Sequence, residues 1–172
     1  MDFVIDIGDD QNVSDDEIFS LLSDVYVQAG FASAEIAKTA FDPVKVRKRG
    51  TLFVSRSVSD GLFTGMIIVV PPHSQSIVRA ADNECEMHLL GVTPKYRQHG
   101  LGRKLVQTAI QFAKHNHWSK MILWTQKPMT AAQKLYESSG FIRTGEMTKN
   151  GIDFYVYEHT LTVENAPSHH TI

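Results

Sequence analysis

Several things are scarce in this sequence, and each scarcity excludes something. There is one cysteine, Cys85, in 172 residues, which rules out an internal disulfide framework and a cysteine-rich zinc site. A reducing cytoplasmic location is the expectation that follows. No charge of one sign dominates: 17 Lys and Arg are interspersed with 19 Asp and Glu, for a formal net charge of -2. Without a polycationic face the chain does not neutralise nucleic-acid phosphates, so no nucleic-acid partner is expected. Long apolar runs are missing as well. The longest, Met66 to Val70, stops at Pro71-Pro72, far below the ~20 residues that span a bilayer, and no membrane partner is expected. The opening MDFVIDIGDDQN lacks the basic start and apolar core of a secretory signal and reads as mature structure. No repeat or low-complexity linker divides the chain. One domain over residues 1–165, with a polar tail over 166–172, is the expected organisation.

The patterns that are present describe a mixed α/β fold. Ser14-Asp15-Asp16-Glu17 has the form of a capping box. Ile18, Leu21, Leu22, Val25 and Tyr26 follow at three- and four-residue spacing, which predicts a helix ending near Gly30. A short helix is expected from Ser33 to about Ala40. Thr51 to Ser55 and Leu62 to Val70 are strand-like around Ser59-Asp60-Gly61, which is hairpin chemistry. Glu84 to Val92 reads as a strand that stops at Thr93-Pro94. An amphipathic helix then carries Leu105, Val106, Ala109, Ile110 and Ala113 to about His115. Met121 to Thr125 is a strand, Thr130 to Ser139 a helix ended by Gly140, and Phe154 to Leu161 a last strand. Phe3 to Ile7 reads either as a first strand or as an ordered arm. Strands 84–92 and 121–125, joined by a helical crossover, should be parallel, and the earlier hairpin antiparallel.

The most informative stretch is Arg97-Gln98-His99-Gly100-Leu101-Gly102-Arg103, between a strand and the start of the long helix. A helix N-terminus presents unpaired N–H groups and partial positive charge, and glycines let the backbone approach a bulky anion. Arg97 and Arg103 are placed to add charge-assisted hydrogen bonds to a pyrophosphate. A dinucleotide fingerprint would need glycine where Leu105 stands, and a nucleoside-triphosphate loop would need Gly-Lys-Ser/Thr. The blander reading is that the glycines only turn the chain into the helix.

Leu89 to Gly102 resembles motif A of the GCN5-related N-acetyltransferase (GNAT) superfamily, whose loop reads Arg/Gln-x-x-Gly-x-Gly/Ala. Ala131-Ala132-Gln133-Lys134-Leu135-Tyr136-Glu137-Ser138-Ser139-Gly140-Phe141 is similar to motif B, a helix with a Leu-Tyr pair followed by Gly-Phe. The resemblance covers about residues 50 to 160 and implies a central, mostly antiparallel twisted sheet flanked by helices, with the parallel pair splayed. It implies an acetyl-CoA-dependent N-acetyltransferase, in which an amine attacks the thioester directly in a ternary complex. Leu90, Gly91 and Val92 would contact the cofactor through main-chain atoms, an amide near Leu90 would face the thioester oxygen, and Arg97, Gln98, His99, Gly100, Leu101, Gly102 and Arg103 would hold the pyrophosphate.

Glu84, Glu86 and His88 alternate on one face of their strand. The resemblance gives Glu86 the position of a glutamate that deprotonates the acceptor; neutralising a cationic substrate is the other reading. His88 reads as a buried, hydrogen-bonded histidine. Tyr136 matches the tyrosine that returns a proton to the departing sulfur, with a packing role as its alternative. Met129 stands where the family often has a cofactor-contacting asparagine, and Thr130 is the neighbour that could cap the helix or replace it. No metal is assigned: His115 and His117 do not face one another on a helix, and His169-His170 lie in the tail. Cys85 reads as a buried apolar residue. A small-molecule or peptide amine is the expected partner, entering between Gly30-Phe31 and the segment after Phe141, with the acidic pair Glu84 and Glu86 favouring a cationic one. A homodimer through the late strands is a family habit. A non-catalytic acyl-CoA-binding or regulatory module and a general anion-binding domain stay open as other classes.

Overall fold

A computed structural model describes residues 1–161. The end of the domain expected at 165, the tail over 166–172 and His169-His170 lie outside the described residues.

The first helix, α1 (Asp15–Leu22), starts where its sequence marks it. Glu17 N–H donates to Ser14 Oγ at 3.1 Å, and Ser14 N–H donates to the Glu17 carboxylate at 2.9 Å. Ile18, Leu21 and Leu22 are buried along its inner stripe. The expected continuation to Gly30 is instead a π-helical segment, Ser23–Val27, whose wider turn buries Val25 and lets the Tyr26 hydroxyl donate to the Leu90 carbonyl at 3.4 Å. Ser33 caps α2 (Ala34–Ala40). An unexpected helix, α3 (Pro43–Lys48), follows. Asp42 accepts from Val44 N–H and Pro43 opens the first turn, a start signal over a segment too short to show periodicity.

Among the described residues, seven strands form one sheet in the order β1-β2-β3-β4-β5-β7-β6. They are β1 (Phe3–Ile7), β2 (Thr51–Ser57), β3 (Phe63–Val70), β4 (Glu84–Val92), β5 (Lys120–Gln126), β6 (Ile142–Lys149) and β7 (Ile152–Thr160). Phe3–Ile7 is therefore a strand, antiparallel to β2. All neighbours are antiparallel except β4 and β5, which α4 (Leu101–His115) joins as the crossover. The edge strand β6 was not expected. Its residues are mostly polar and exposed, but Asn150-Gly151, with φ of 51° and 74°, is the turn dipeptide of a β6–β7 hairpin and was the available signal.

The sheet separates two apolar layers. Leu101, Leu105, Val106, Ala109 and Ala113 of α4 pack with Cys85, Met87 and Tyr136 on one face, Tyr136 coming from α5 (Thr130–Ser138). Ile18, Leu21, Leu22 and Val46 pack with Met66, Ile68 and Val70 on the other.

Two local features open the middle of the sheet. Parallel pairing of β4 with β5 is confined to Glu84↔Lys120, Cys85↔Met121 and Glu86↔Ile122, so the strands part from Met87 onward. On the opposite edge, Ile68 pairs with His88 and Met66 with Gly91, leaving Leu89 and Leu90 against Ile67 alone. Leu89, at φ 51°, is the kink of this β-bulge. One extra residue reverses the alternation. Cys85 and Met87 face α4 before the bulge and Leu90 and Val92 after it, while Leu89 joins the α1 layer.

Candidate active site

The parting of β4 and β5 is lined by two cavities that meet. The larger, about 610 Å³, is bordered by Gly91, Val92, Arg97, Gly100, Gly102 and Thr130 among others. The smaller, about 220 Å³, is bordered by Tyr26, Arg49, His88, Trp124, Thr125 and Tyr136 among others. Phe31, Leu90 and Met129 line both.

The larger cleft opens on the N-terminus of α4. Gly100 is the N-cap of α4 at φ 77°, a left-handed conformation that favours glycine, and a Cβ there would meet nothing within 4 Å. The first-turn N–H groups of α4 have no partner within the helix. Gly102 has no such freedom to spare, since a Cβ on it would stand 3.1 Å from Leu135 Cδ2 of α5. Of the expected loop residues, Arg97, Gln98, Gly100, Leu101, Gly102 and Arg103 line the cleft, as do Leu90, Gly91 and Val92. The exposed His99 does not. Arg97 donates to the Val92 carbonyl at 3.1 Å, and Arg103 reaches Ser138 Oγ at 2.9 Å, clipping α4 to α5. Helix terminus, open glycine, nearby guanidinium and a length of β4 without a β5 partner together fit a pyrophosphate followed by an extended, amide-bearing arm. Met129 is the N-cap of α5 and supplies no side-chain cap, while Thr130 begins the helix and faces the cleft.

The smaller cavity corrects the reading of the acidic strand face. Glu84 lies away from it, near Lys120 at 3.6 Å and accepting from Ala81 N–H. Glu86 is wholly buried and does not line the cavity. Its Oε1 accepts from the N–H groups of Val78, Arg79 and Ala80 at 2.5–2.9 Å, and its Oε2 is 2.8 Å from His88 Nε2. Burial acts to raise the Glu86 pKa, but the hydrogen bonds from His88 and the three amides outweigh it and hold the carboxyl below its ordinary value. With both oxygens engaged, Glu86 is not placed to abstract a proton from a substrate.

His88, 7 % exposed, is the titratable group of this pair that reaches the cavity. A carboxylate only accepts and a guanidinium only donates, so the partners assign its tautomer. Nε2–H donates to Glu86, and Nδ1 carries a lone pair toward Arg49 Nη1, 3.4 Å away. Burial lowers the His88 pKa, Glu86 raises it in part, and Arg49 and Lys149 lower it again, leaving it below 6.5. This direction favours the neutral ring. Trp124 stacks edge-on against it at 5.0 Å.

Tyr136 lines the smaller cavity, packed against Phe141 and Tyr157, and its hydroxyl makes no hydrogen bond among the described residues. Burial, and then Tyr26, push its pKa far above that of a free phenol. Tyr26 is itself raised to about 12, chiefly by burial. Thr125, also in the wall, has a buried hydroxyl with no partner among the described residues. Neither Arg49 nor Thr125 carries a sequence motif; both come to the cavity through tertiary packing alone. Cys85 is buried, and burial raises its thiol to about 12, as an inert core residue requires. Among the described residues, no three His, Cys, Asp or Glu side chains are grouped to hold a metal ion, and no helix is long and apolar enough to cross a membrane.

Comparison with known proteins bears on the fold and the family. Rat N-acetyltransferase family 8 member 3 is 36% identical over 88 residues, 51% of this chain and 37% of its own length; the chain thus spans well under half of that relative. An acetyltransferase of the GNAT family from Staphylococcus aureus shares the fold with a TM-score of 0.74 at 14% identity, over 94% of this chain and 100% of its own. The NatC complex bound to Gag peptide and CoA aligns with a TM-score of 0.67 at 25% identity, over 94% of this chain and 100% of the chain matched. The model of the acetyltransferase (GNAT) family matches residues 16–141, and the chain belongs to that family.

Proposed function

We propose that this protein is an acetyl-CoA-dependent N-acetyltransferase that binds acetyl-CoA in the larger cleft and a primary amine in the smaller cavity, in one ternary complex. The observation that carries the reading is the junction of the two cavities at Leu90 and Met129, beside a neutral buried histidine with an assigned lone pair. A bound thioester supplies an electrophilic carbonyl: the C–N bond forms as the C–S bond breaks, giving an amide and free thiol.

The residues of the chain divide the remaining work. The α4 N-terminus and Arg97 hold the pyrophosphate, and the unpaired length of β4 holds the pantetheine arm. The Leu90 amide faces the developing oxyanion, a placement that costs no reorganisation during reaction. His88 Nδ1 takes the proton of the attacking nitrogen, directly or through one water, while Glu86 fixes the tautomer and steadies the imidazolium. Tyr136 donates a hydrogen bond to the departing sulfur. Because burial makes its phenolate costly, it passes a proton on only as it regains one. The non-catalytic acyl-CoA-binding alternative shares the larger cleft but gives no reason for the His88–Glu86 pair.

The test is thiol release from acetyl-CoA in the presence of pooled primary amines, with the product identified by mass. Release with one pool and an acetylated product supports the reading. Tight acetyl-CoA binding with no release over the whole panel favours the non-catalytic module.

A further inference from the structure

The smaller cavity contains a charge that the fold leaves unbalanced. Arg49 is half-buried. Its guanidinium donates to the Ala40 carbonyl at 3.0 Å and approaches His88 Nδ1 at 3.4 Å, and it pairs with no carboxylate among the described residues. Burial lowers its pKa, the mark of a cation short of a counter-charge. Among the described residues, the other charged side chain on the cavity is the exposed Lys149, and no Asp or Glu lines it. Most of the remaining wall is apolar and aromatic, including Phe31, Phe41, Leu123, Trp124 and Phe154. A half-buried guanidinium without an anion costs free energy that a bound carboxylate recovers, and its planar fork suits a carboxylate in two-point contact.

We propose that the acceptor is an α-amino acid with an apolar side chain, its carboxylate held by Arg49 and its amine presented to His88. This rests on the acetyltransferase reading given above and adds the substrate class. The geometry sets the spacing within the ligand. Arg49 and the His88 lone pair are 3.4 Å apart, so the anion and the amine they serve must be close neighbours, as the two groups on one α-carbon are. An amine far from its carboxylate, such as the side-chain nitrogen of lysine, does not reach both. The ligand side chain then lies against the aromatic wall. The volume, about 220 Å³, lies below the ~300–1,000 Å³ of sites that enclose drug-sized ligands, which fits a single amino acid. Engagement of Arg49 by a carboxylate also draws its Nη1 from His88 Nδ1 and leaves that lone pair to the substrate nitrogen. The acidic pair that suggested a cationic acceptor is engaged elsewhere, and the cavity favours an anionic group.

The experiment measures kcat/KM by thiol release with acetyl-CoA and matched acceptors: phenylalanine, leucine and methionine, their primary amides, their decarboxylated amines, and spermidine. The wild-type protein is expected to prefer a free amino acid over its amide and its decarboxylated amine by at least about 100-fold, the range for a buried charge pair left half-made. In Arg49→Met and Arg49→Lys that preference is expected to shrink at least about tenfold, chiefly through KM, because methionine removes the charge and lysine replaces the fork by a point charge. The substrate comparison on wild-type protein holds whether or not Arg49→Met folds. Equal use of acid and amine, preference for spermidine, or a preference unchanged in both variants would overturn the proposal while leaving the acetyltransferase reading intact. Absence of turnover with every acceptor, despite acetyl-CoA binding, overturns both.

Discussion

Replacing Glu86 by Gln separates two jobs that one carboxylate could do on this strand. In the structure Oε1 accepts three N–H groups from residues 78–80, and Oε2 accepts from His88. Glutamine preserves shape and removes the charge. A hydrogen bond to a charged acceptor contributes about 1.5–3 kcal/mol and a neutral one about 0.5–1.5, so three weakened amide bonds cost on the order of 3 kcal/mol. The amide must also turn its NH2 toward either the three N–H groups or His88 Nε2–H. The second choice drives His88 to the other tautomer, with Nδ1–H against the Arg49 guanidinium. Urea denaturation of Glu86→Gln is therefore expected to show a lower midpoint with an unchanged slope, corresponding to about 3 kcal/mol. The depressed pKa of Glu86 adds a pH signature. Stability from this group is present above the unfolded carboxyl pKa and is lost as pH falls through the folded one, so the gap between wild type and variant closes in acid. A stability change below about 0.5 kcal/mol, together with a fall in kcat of the ~10²–10⁴-fold that general-base loss brings, would refute this reasoning and return Glu86 to the role of direct base.

Three further outcomes follow from the same geometry. His88→Gln is expected to lower kcat/KM about 10²–10⁴-fold, and the acid limb of the wild-type pH–rate profile, centred below 6.5 because burial, Arg49 and Lys149 outweigh Glu86, should disappear with it. The same lowered pKa makes wild-type stability fall as pH drops below 6.5, because the unfolded chain then binds the extra proton; thermal melts across pH 5 to 7 check the sign. Thr125→Val removes a buried hydroxyl without a partner, so stability is expected to hold or rise, by up to about 1 kcal/mol, where a threonine in ordinary hydrogen bonding would lose as much; a melting temperature several degrees lower would contradict it.

The fold was legible wherever periodicity and punctuation coincide. The Ser14 box and the run from Glu84 to Val92 each join a start or stop signal to a clear apolar pattern, and the start of α1 and both ends of β4 are where the residues put them; the helix read from after Gly102 begins two residues earlier, at Leu101. Legibility failed where one signal was missing. Pro43 after Asp42 marks a helix start, but six residues carry no period; β6 is an exposed edge strand of polar residues, betrayed only by Asn150-Gly151. The bulge at Leu89 could not be read, because a leucine at positive φ follows from tertiary pairing and not from its own preference. That bulge and the widened turn at Ser23–Val27 shape the junction of the two cavities. Sequence spacing placed the glycine loop at the N-terminus of α4, since helix-terminus geometry is local. It put Glu86 on the right face of β4 yet could not show that the loop over residues 78–80 folds back to occupy it, and it could not find Arg49, 39 residues from His88.

The central claim, that the cleft at the α4 N-terminus is an acetyl-CoA site, is tested most directly by calorimetric titration of acetyl-CoA into the wild-type protein and into Gly100→Val. The account predicts one site per chain. It also predicts at least about tenfold weaker binding in the variant, since a β-branched residue at φ 77° is strained by about 1–2 kcal/mol and its side chain enters the path of the phosphates. No binding by the wild type, or equal affinity in the two proteins, would contradict it.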